Sequence, residues 1–260
     1  MTDPTYLPPP PVPDAPWALF LDVDGTLIEL AVRPDAVAVP PELPLLLNAL
    51  DEALGGALAL VSGRALAEVE TLFAPHRYAI AGGHGAEWRP AADAAIECRP
   101  KPALAAARKR LEAFVCTHPG TLLETKPHAL ALHWRNAPAA ESEALACMAS
   151  VQAGLDSGFR LLRGKSVCEL LPEGFDKGAV VAGFCTSPPF AGRVPVFIGD
   201  DVTDEAGFAA VLARGGIAVH VGTAGRPTCA TRRLTDPAAV RAWLARDVLP
   251  ACQRYGAPNP

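Results

Sequence analysis

Residues 17–26 read Trp-Ala-Leu-Phe-Leu-Asp-Val-Asp-Gly-Thr, a short apolar run that ends in two aspartates, a glycine and a threonine. Such a run is typical of a buried strand in a parallel sheet, and open α/β sheets bind ligands beyond the carboxyl ends of their strands. Side chains alternate along a strand, so Asp22 and Asp24 start on the same side. We expect the turn at Gly25 to bring backbone N–H groups and the Thr26 hydroxyl round to face them. Carboxylates beside such donors suit a hard cation with a bound phosphate.

Composition excludes several classes of protein. The chain has 260 residues, half of them apolar, and a net charge of −5 without any run of lysine and arginine, which argues against nucleic-acid binding. Its apolar stretches are far shorter than the roughly 20 residues of a membrane-spanning helix. The seven cysteines form no C-x-x-C pair, so neither a zinc site nor a disulfide scaffold is indicated. We therefore expect a globular, monomeric protein of the cytoplasm, with no nucleic-acid or membrane partner.

The first 16 residues carry seven prolines and no basic segment before an apolar one. This composition is unlike that of a signal peptide and favours a disordered or polyproline-like lead-in. We assign no function to it.

The remaining pattern predicts a Rossmann-like, doubly wound parallel sheet with an inserted smaller domain. A helix over residues 43–53 and a strand over 57–61 follow the first strand, and later strands at 194–198 and 216–221 complete the sheet. The segment 102–171 differs, because its strands alternate polar and apolar residues like an antiparallel sheet. We thus predict a core of residues 17–101 and 172–260, with an α/β cap of residues 102–171 inserted into it.

Polar clusters follow the predicted core strands or the insertion, and together they provide what phosphoryl transfer requires. Asp22 is the candidate nucleophile, because a carboxylate can attack phosphorus to give an acyl phosphate. Asp24 is the candidate acid and base. Asp200 would complete a Mg²⁺ site with Asp22, and Lys177 would neutralise the charge shared by nucleophile and phosphate. Each cluster alone is common in solvated turns and helix caps, so the hypothesis rests on the whole set and its order.

This set, in this order, resembles the four motifs of the haloacid dehalogenase superfamily of phosphatases. Further segments, including Gly83-His84-Gly85-Ala86-Glu87, Leu123-Glu124-Thr125-Lys126 and residues 199–205, are similar to the trehalose-6-phosphate phosphatase family, from about Ala18 to Trp243. The resemblance implies Mg²⁺ as cofactor, trehalose 6-phosphate as substrate, and a metal site made by Asp22, Asp200 and the main-chain carbonyl of Asp24. It also places Thr26 and Ser62 with the catalytic residues.

The same resemblance implies a set of substrate contacts. Four of them belong to the predicted core: Gly63, Arg64, His84 and Glu87. Six belong to the predicted cap: Glu124, Lys126, His133, Arg135, Lys165 and Glu169. On alternating strands such residues could instead form a solvent-facing surface with local ion pairs of little energetic value.

The sequence therefore favours a Mg²⁺-dependent phosphatase that converts trehalose 6-phosphate to trehalose through an aspartyl-phosphate intermediate, the last step of trehalose synthesis. Trp134 and Leu171 stand where the family usually has a tyrosine and a basic residue, which leaves another sugar phosphate, such as sucrose 6-phosphate, open. A catalytically silent sugar-phosphate sensor is a third reading, although it has no need of the acid Asp24. A dinucleotide-binding oxidoreductase is disfavoured, because the first turn lacks the G-x-G-x-x-G pattern.

Overall fold

A computed structural model describes residues 7–31, 37–98, 104–126, 128–155, 158–174 and 176–256. The chain divides into two compact units: unit 1 is Met1–Glu97 with Asp176–Pro260, and unit 2 is Cys98–Phe175. These limits lie four residues from those predicted for the core and the cap. The segment from 99 to 103 and residue 175 lie outside the described residues.

Among the described residues, unit 1 has a sheet of eight strands: β1 (Trp17–Leu21), β2 (Leu58–Val61), β3 (Ala79–Gly82), β4 (Glu87–Arg89), β5 (Glu97–Cys98, whose second residue starts unit 2), β10 (Val194–Gly199), β11 (Ile217–Val221) and β12 (Arg232–Leu234). Their order in the sheet is β12-β11-β10-β1-β2-β3-β4-β5. The neighbours from β12 to β3 are parallel, and β4 pairs with β3 in the antiparallel sense. The predicted parallel, doubly wound class is therefore confirmed.

The helices of unit 1 connect these strands and close its apolar core. They are α1 (Leu43–Ala53), α2 (Leu66–Phe73), α5 (Lys177–Phe184), α6 (Glu205–Leu212), α7 (Pro237–Trp243) and α8 (Leu249–Gly256), with a π-helical turn over Leu244–Val248. All five residues of β1 are buried, because the strand lies between β10 and β2 in the middle of the sheet. Leu21 pairs with Ile198 of β10 and with Leu60 of β2, so these three strands end at nearly the same level.

Unit 2 has its own core and its own sheet. Its strands β6 (Leu122–Thr125), β7 (Leu130–His133), β8 (Phe159–Gly164) and β9 (Val167–Pro172) form an antiparallel sheet in the order β6-β7-β9-β8. The helices α3 (Ala105–Thr117) and α4 (Glu141–Ala153) supply Leu111 and Met148 to a cluster that also holds Leu132 and Leu170 of the sheet. One face of the sheet is thus covered by apolar side chains.

The proline-rich segment from residue 7 to residue 16 contacts the core, at odds with the predicted disorder. Leu7 packs against the apolar cluster of unit 1, and Pro10 and Pro13 are buried. The backbone N–H of Arg233 in β12 donates to the carbonyl of Pro8. Proline cannot donate to a sheet but its carbonyl can accept, so the segment binds an edge strand without joining the sheet. Residues 1–6 lie outside the described residues. Within the described part of the chain, every helix is too short or too polar to cross a membrane.

Candidate active site

The predicted catalytic residues come together at the carboxyl end of the parallel sheet in unit 1. Asp22 follows β1, and its N–H donates to the carbonyl of Ile198 in β10, which ties the two strand ends together. Asp200 follows β10, while Lys177 is the first residue of α5. Strand ends that lie side by side in a parallel sheet bring sequence-distant acids to one place.

Lys177 joins two of these acids in a buried ion-pair triad. Its Nζ lies 2.6 Å from Oδ1 of Asp22 and 2.6 Å from Oδ1 of Asp204, and all three residues are less than 5% exposed. Burial opposes the charge of Lys177, but the adjacent carboxylates of Asp204 and Asp22 outweigh it and raise the pKa of the ammonium group. The lysine therefore stays charged and holds Asp22 in one orientation.

The negative charge of three neighbouring carboxylates exceeds the single positive charge of Lys177. Oxygen atoms of Asp22, Asp200 and Asp204 lie within 4.8 Å of one another. Burial raises the pKa of Asp22 to about 7. The charge of Lys177 opposes this rise, and the charge of Asp204 adds to it. Burial and the charges of Asp22 and Asp204 raise the pKa of Asp200 to about 9. Buried like charges of this kind indicate a site that is stabilised by a cation.

The residues present fit Mg²⁺, which prefers carboxylate oxygens and retains several waters. Gly25 has φ +81°, and a Cβ atom there would overlap the carboxylate of Asp200, so only glycine lets the β1 turn approach this acid so closely. The Thr26 hydroxyl is buried and has no hydrogen-bond partner among the described residues. This unused donor and the acid Asp22 belong to the same segment after β1, an arrangement suited to a cation with a bound phosphate.

Asp24 lies on the same turn, but its side chain makes a different contact. Its Oδ2 accepts from Nε of Arg64 at 2.6 Å and its Oδ1 from Nη2 of Arg64 at 2.7 Å. This is a two-bond pair between a planar guanidinium and a carboxylate, which fixes the carboxylate plane. Arg64, predicted to contact substrate, is thus bound to the predicted acid and base. Ser62, the residue before Gly63, is 1% exposed and accepts from the N–H of Arg64.

Asp204 was not predicted as a metal ligand, but its carboxylate lies in the acid cluster. Its Oδ2 accepts from the N–H of Asp201, while its Oδ1 accepts from Lys177. Asp204 is 0% exposed, an unusual place for an aspartate unless it is paired. The sequence offered one signal for it: Asp204 lies in an acidic run, Asp200-Asp201-Val202-Thr203-Asp204, four residues after a predicted metal ligand.

His84, Gly63 and Glu87 lie around the ends of β2 and β3. His84 is buried and has φ 55°, a backbone conformation that non-glycine residues seldom adopt. A Cβ atom on Gly63 would lie 2.8 Å from the His84 ring, so glycine is needed for the ring to sit there. Glu87, a predicted substrate contact, accepts a hydrogen bond from the N–H of Leu66 at the start of α2. One oxygen of its carboxylate therefore pairs with a helix N-terminus.

The predicted cap contacts lie in unit 2, and four of them share one face of its sheet. Nζ of Lys126 lies 3.0 Å from Oε1 of Glu169, and Nε2 of His133 lies 2.9 Å from Oε2 of Glu124. Burial opposes ionisation of Glu124, but the bond from His133 and the charge of Lys126 outweigh it and lower the pKa of this carboxyl group. This polar face is opposite to the apolar one. Lys165, in the β8–β9 turn, and Arg135, after β7, are exposed.

Three comparisons place the chain among known proteins. A family model described as trehalose-phosphatase matches residues 20–238. A probable trehalose-phosphate phosphatase of Sinorhizobium fredii is 46% identical over 208 residues, which are 79% of this chain and 78% of that protein. The trehalose-6-phosphate phosphatase of Escherichia coli K12 is 41% identical over 231 residues, or 88% and 86% of the two chains.

Solved structures share the fold. The C-terminal domain of C. albicans trehalose-6-phosphate phosphatase superposes with a TM-score of 0.81 at 21% identity, covering 94% of this chain and 98% of that one. Hydrolases of the haloacid dehalogenase type from Bacteroides thetaiotaomicron and B. subtilis also share this fold, with TM-scores of 0.59 and 0.61 at 17% and 13% identity. The fold is therefore that of the haloacid dehalogenase type, and the chain belongs to the trehalose-phosphatase family. It is a phosphatase, an enzyme that hydrolyses phosphoric monoesters.

Proposed function

We propose that this phosphatase is Mg²⁺-dependent and hydrolyses trehalose 6-phosphate to trehalose and phosphate through an aspartyl phosphate on Asp22. The observation that supports this most strongly is the buried triad of Lys177 with Asp22 and Asp204, beside Asp200. The choice of sugar is supported by the names of the Escherichia coli and Sinorhizobium relatives, each of which is aligned over most of this chain.

In the first step, a carboxylate oxygen of Asp22 attacks the phosphorus atom, and the bond from phosphorus to the sugar oxygen breaks. Asp24 in its protonated form gives its proton to that leaving oxygen, which becomes a hydroxyl of the released sugar. In the second step, Asp24 takes a proton from water as the water oxygen attacks phosphorus, and the bond to Asp22 breaks. Phosphate leaves and both aspartates return to their starting forms.

The neighbours of Asp22 serve these two steps. Lys177 keeps the attacking carboxylate in place and compensates the charge that builds up on the phosphoryl oxygens. The hydroxyl of Thr26, buried without a partner among the described residues, is a donor for one of those oxygens, and Ser62 is another. Asp22, Asp200 and the Asp24 carbonyl, with Asp204 adjoining, would hold Mg²⁺. The bound cation would supply the remaining charge compensation.

Unit 2 is our proposed source of sugar selectivity. Its polar face offers the Lys126–Glu169 and His133–Glu124 pairs, whose donors and acceptors match the hydroxyls of a sugar. Arg135 and Lys165 extend this set. Sites that hydrogen-bond a hydroxyl reject ligands that lack it, because the buried partners would then remain unpaired. The proline-rich segment has no part in this proposal.

A panel of sugar phosphates tests the substrate. Phosphate release would be measured with Mg²⁺ from trehalose 6-phosphate, sucrose 6-phosphate, mannose 6-phosphate and glucose 6-phosphate, and again after removal of the metal with EDTA. We expect kcat/KM to be highest for trehalose 6-phosphate, activity to be lost with EDTA and to return with added Mg²⁺. A preference for another sugar would overturn the substrate, and full activity in EDTA would overturn the metal.

The nucleophile is tested by Asp22→Asn. The substitution keeps the shape of the side chain but removes the attacking oxygen charge, so we expect kcat to fall at least about a thousandfold. Circular dichroism and a thermal melt check that the fold is retained. Wild-type turnover by this variant would refute the assignment of Asp22, whereas a silent wild-type protein that still binds the sugar phosphate would point to the sensor.

A further inference from the structure

The acidic segment of residues 200–205 contains Asp200 and Asp204, two members of the acid cluster. The connection between β11 and β12 makes polar contacts with this segment. Nη2 of Arg226 lies 3.0 Å from Oε1 of Glu205, and Nη1 of Arg226 lies 3.7 Å from Oδ1 of Asp201. Arg226 belongs to the connection between β11 and β12. A single guanidinium therefore reaches both ends of the segment that contains Asp204.

A second contact strengthens this connection. The other carboxylate oxygen of Glu205, Oε2, accepts from the N–H of Cys229 at 2.9 Å, and the carbonyl of Glu205 accepts from the Cys229 thiol. Glu205 is thus bonded through both side-chain oxygens to the same connection. Its side chain is 26% exposed, so these bonds are only partly screened by water.

We infer that Arg226 and Glu205 are positioning residues for the cation site: they fix the path of residues 200–205 and so the placement of Asp200 and Asp204. The inference rests on the proposed Mg²⁺ dependence. Mg²⁺ tolerates little departure from octahedral geometry at about 2.1 Å, so a small displacement of a carboxylate lowers its affinity. Partners that orient metal ligands typically contribute about tenfold or more to metal affinity.

Charge alone predicts a different outcome, which makes the inference testable. If Arg226 and Glu205 acted only through their electric field, removing the cation would tighten Mg²⁺ binding and removing the anion would weaken it. If they position the segment, both removals weaken binding, and the double variant is no worse than either single one, because one connection is lost in each case.

The experiment measures Mg²⁺ binding by isothermal titration calorimetry, without substrate. The variants are Arg226→Met, Glu205→Gln, the double variant and the conservative Arg226→Lys. The matched control is Arg214→Met, because Arg214 is exposed beyond the other end of α6 and its guanidinium donates to the carbonyl of Ala210 within its own segment.

We expect the Mg²⁺ Kd to rise about tenfold in Arg226→Met, in Glu205→Gln and in the double variant. It should be partly restored in Arg226→Lys and unchanged in Arg214→Met. Tighter or unaltered binding in Arg226→Met would overturn the inference, even if its melting temperature falls, since that would mark a purely structural or electrostatic role. If the variants bind Mg²⁺ like the wild type and trehalose 6-phosphate is still hydrolysed, the positioning role is refuted and the proposed function is not. A wild-type protein without any Mg²⁺ binding refutes both this inference and the metal of the proposed function.

Discussion

At the scale of single residues, the acids and the lysine of the site could be predicted from the sequence, but their pairing could not. Asp22, Lys177 and Asp200 follow strands or begin a helix, so topology alone indicates that they converge. The bond between Arg64 and Asp24 joins residues 40 positions apart and depends on how two turns pack. Likewise, the sequence did not predict that Asp204 belongs to the site, because its burial follows from the tertiary contact with Lys177 and not from a local pattern.

Gly25 is the residue whose backbone most directly controls the acid cluster. Gly25→Ala would combine a positive φ with an overlap between the new methyl group and Asp200. We expect kcat/KM to fall more than about tenfold and stability to fall by about 1–2 kcal/mol. The matched control is Gly215→Ala, because Gly215 has φ +71° but no atom near its virtual Cβ. If both variants lost the same activity, backbone strain and not the cluster would explain the effect.

Asp51 in α1 provides a pH-dependent prediction remote from the acid cluster. Burial, reinforced by the charge of Glu52, raises its pKa from 3.8 to about 6. Between pH 3.8 and about pH 6, Asp51 keeps its proton in the folded chain but has lost it in the unfolded chain. The contribution of Asp51 to stability therefore falls as pH rises through this range and is fully lost above about pH 6.

Asp51→Asn should therefore raise the free energy of unfolding at pH 8 by about 1 kcal/mol, once solvent screening of this part-exposed group is allowed for, and change little at pH 3.5. Urea unfolding at both pH values measures the difference. Asp93→Asn serves as control, because Asp93 is exposed. Equal effects at pH 3.5 and pH 8 would contradict the assigned burial penalty.

At the scale of helices and strands, elements with a clear apolar period were predictable and short glycine-containing ones were not. The helix predicted over residues 43–53 is α1, with the same limits. No helix was predicted for α5, since its sequence Lys-Gly-Ala-Val-Val-Ala-Gly-Phe has two glycines and two β-branched residues. Packing explains both glycines: a Cβ on Gly178 would overlap the carbonyl of Ala206 in α6, and one on Gly183 would crowd Trp88. Close packing between elements has outweighed local propensity.

The start of α5 sets the position of Lys177. The side chain of Asp176 accepts from the N–H of Ala179, which caps the helix one residue before the lysine. The corresponding cap of α7 is Asp236, which accepts from the N–H of Ala239. Helix α7 contains none of the proposed site residues. Asp176→Ala and Asp236→Ala should each lower stability by about 1 kcal/mol. Only Asp176→Ala should also reduce kcat, which steady-state kinetics would measure. An equal loss of kcat in the two variants would mean that Lys177 does not depend on its cap.

At the scale of the whole molecule, the change from short, unbroken apolar runs to strands of alternating polarity predicted two kinds of sheet, and the chain has both. Each unit buries its own apolar cluster, so each has the separate hydrophobic core that is typical of a domain. The sequence did not predict β4, β5 and β12, because they are two or three residues long and have no measurable alternation. It also missed the packing of residues 7–16, since proline composition carries no information about a carbonyl that accepts a bond from β12.

The two units should divide the work of the enzyme, with phosphate chemistry in unit 1 and sugar choice in unit 2. Glu169→Gln removes the charge that pairs with Lys126 on the polar face, while Glu112→Gln removes an exposed carboxylate of α3 that pairs with Arg108 within the same helix. For trehalose 6-phosphate we expect Glu169→Gln to lower kcat/KM about tenfold or more, mainly through KM, because sugar hydroxyls lose a partner. For p-nitrophenyl phosphate, which has no such hydroxyls, kcat/KM should match the wild type, and Glu112→Gln should match it with both substrates. If kcat/KM fell equally for both substrates, Glu169 would be needed for the phosphate chemistry. The proposal that this face of unit 2 selects the sugar would then be wrong.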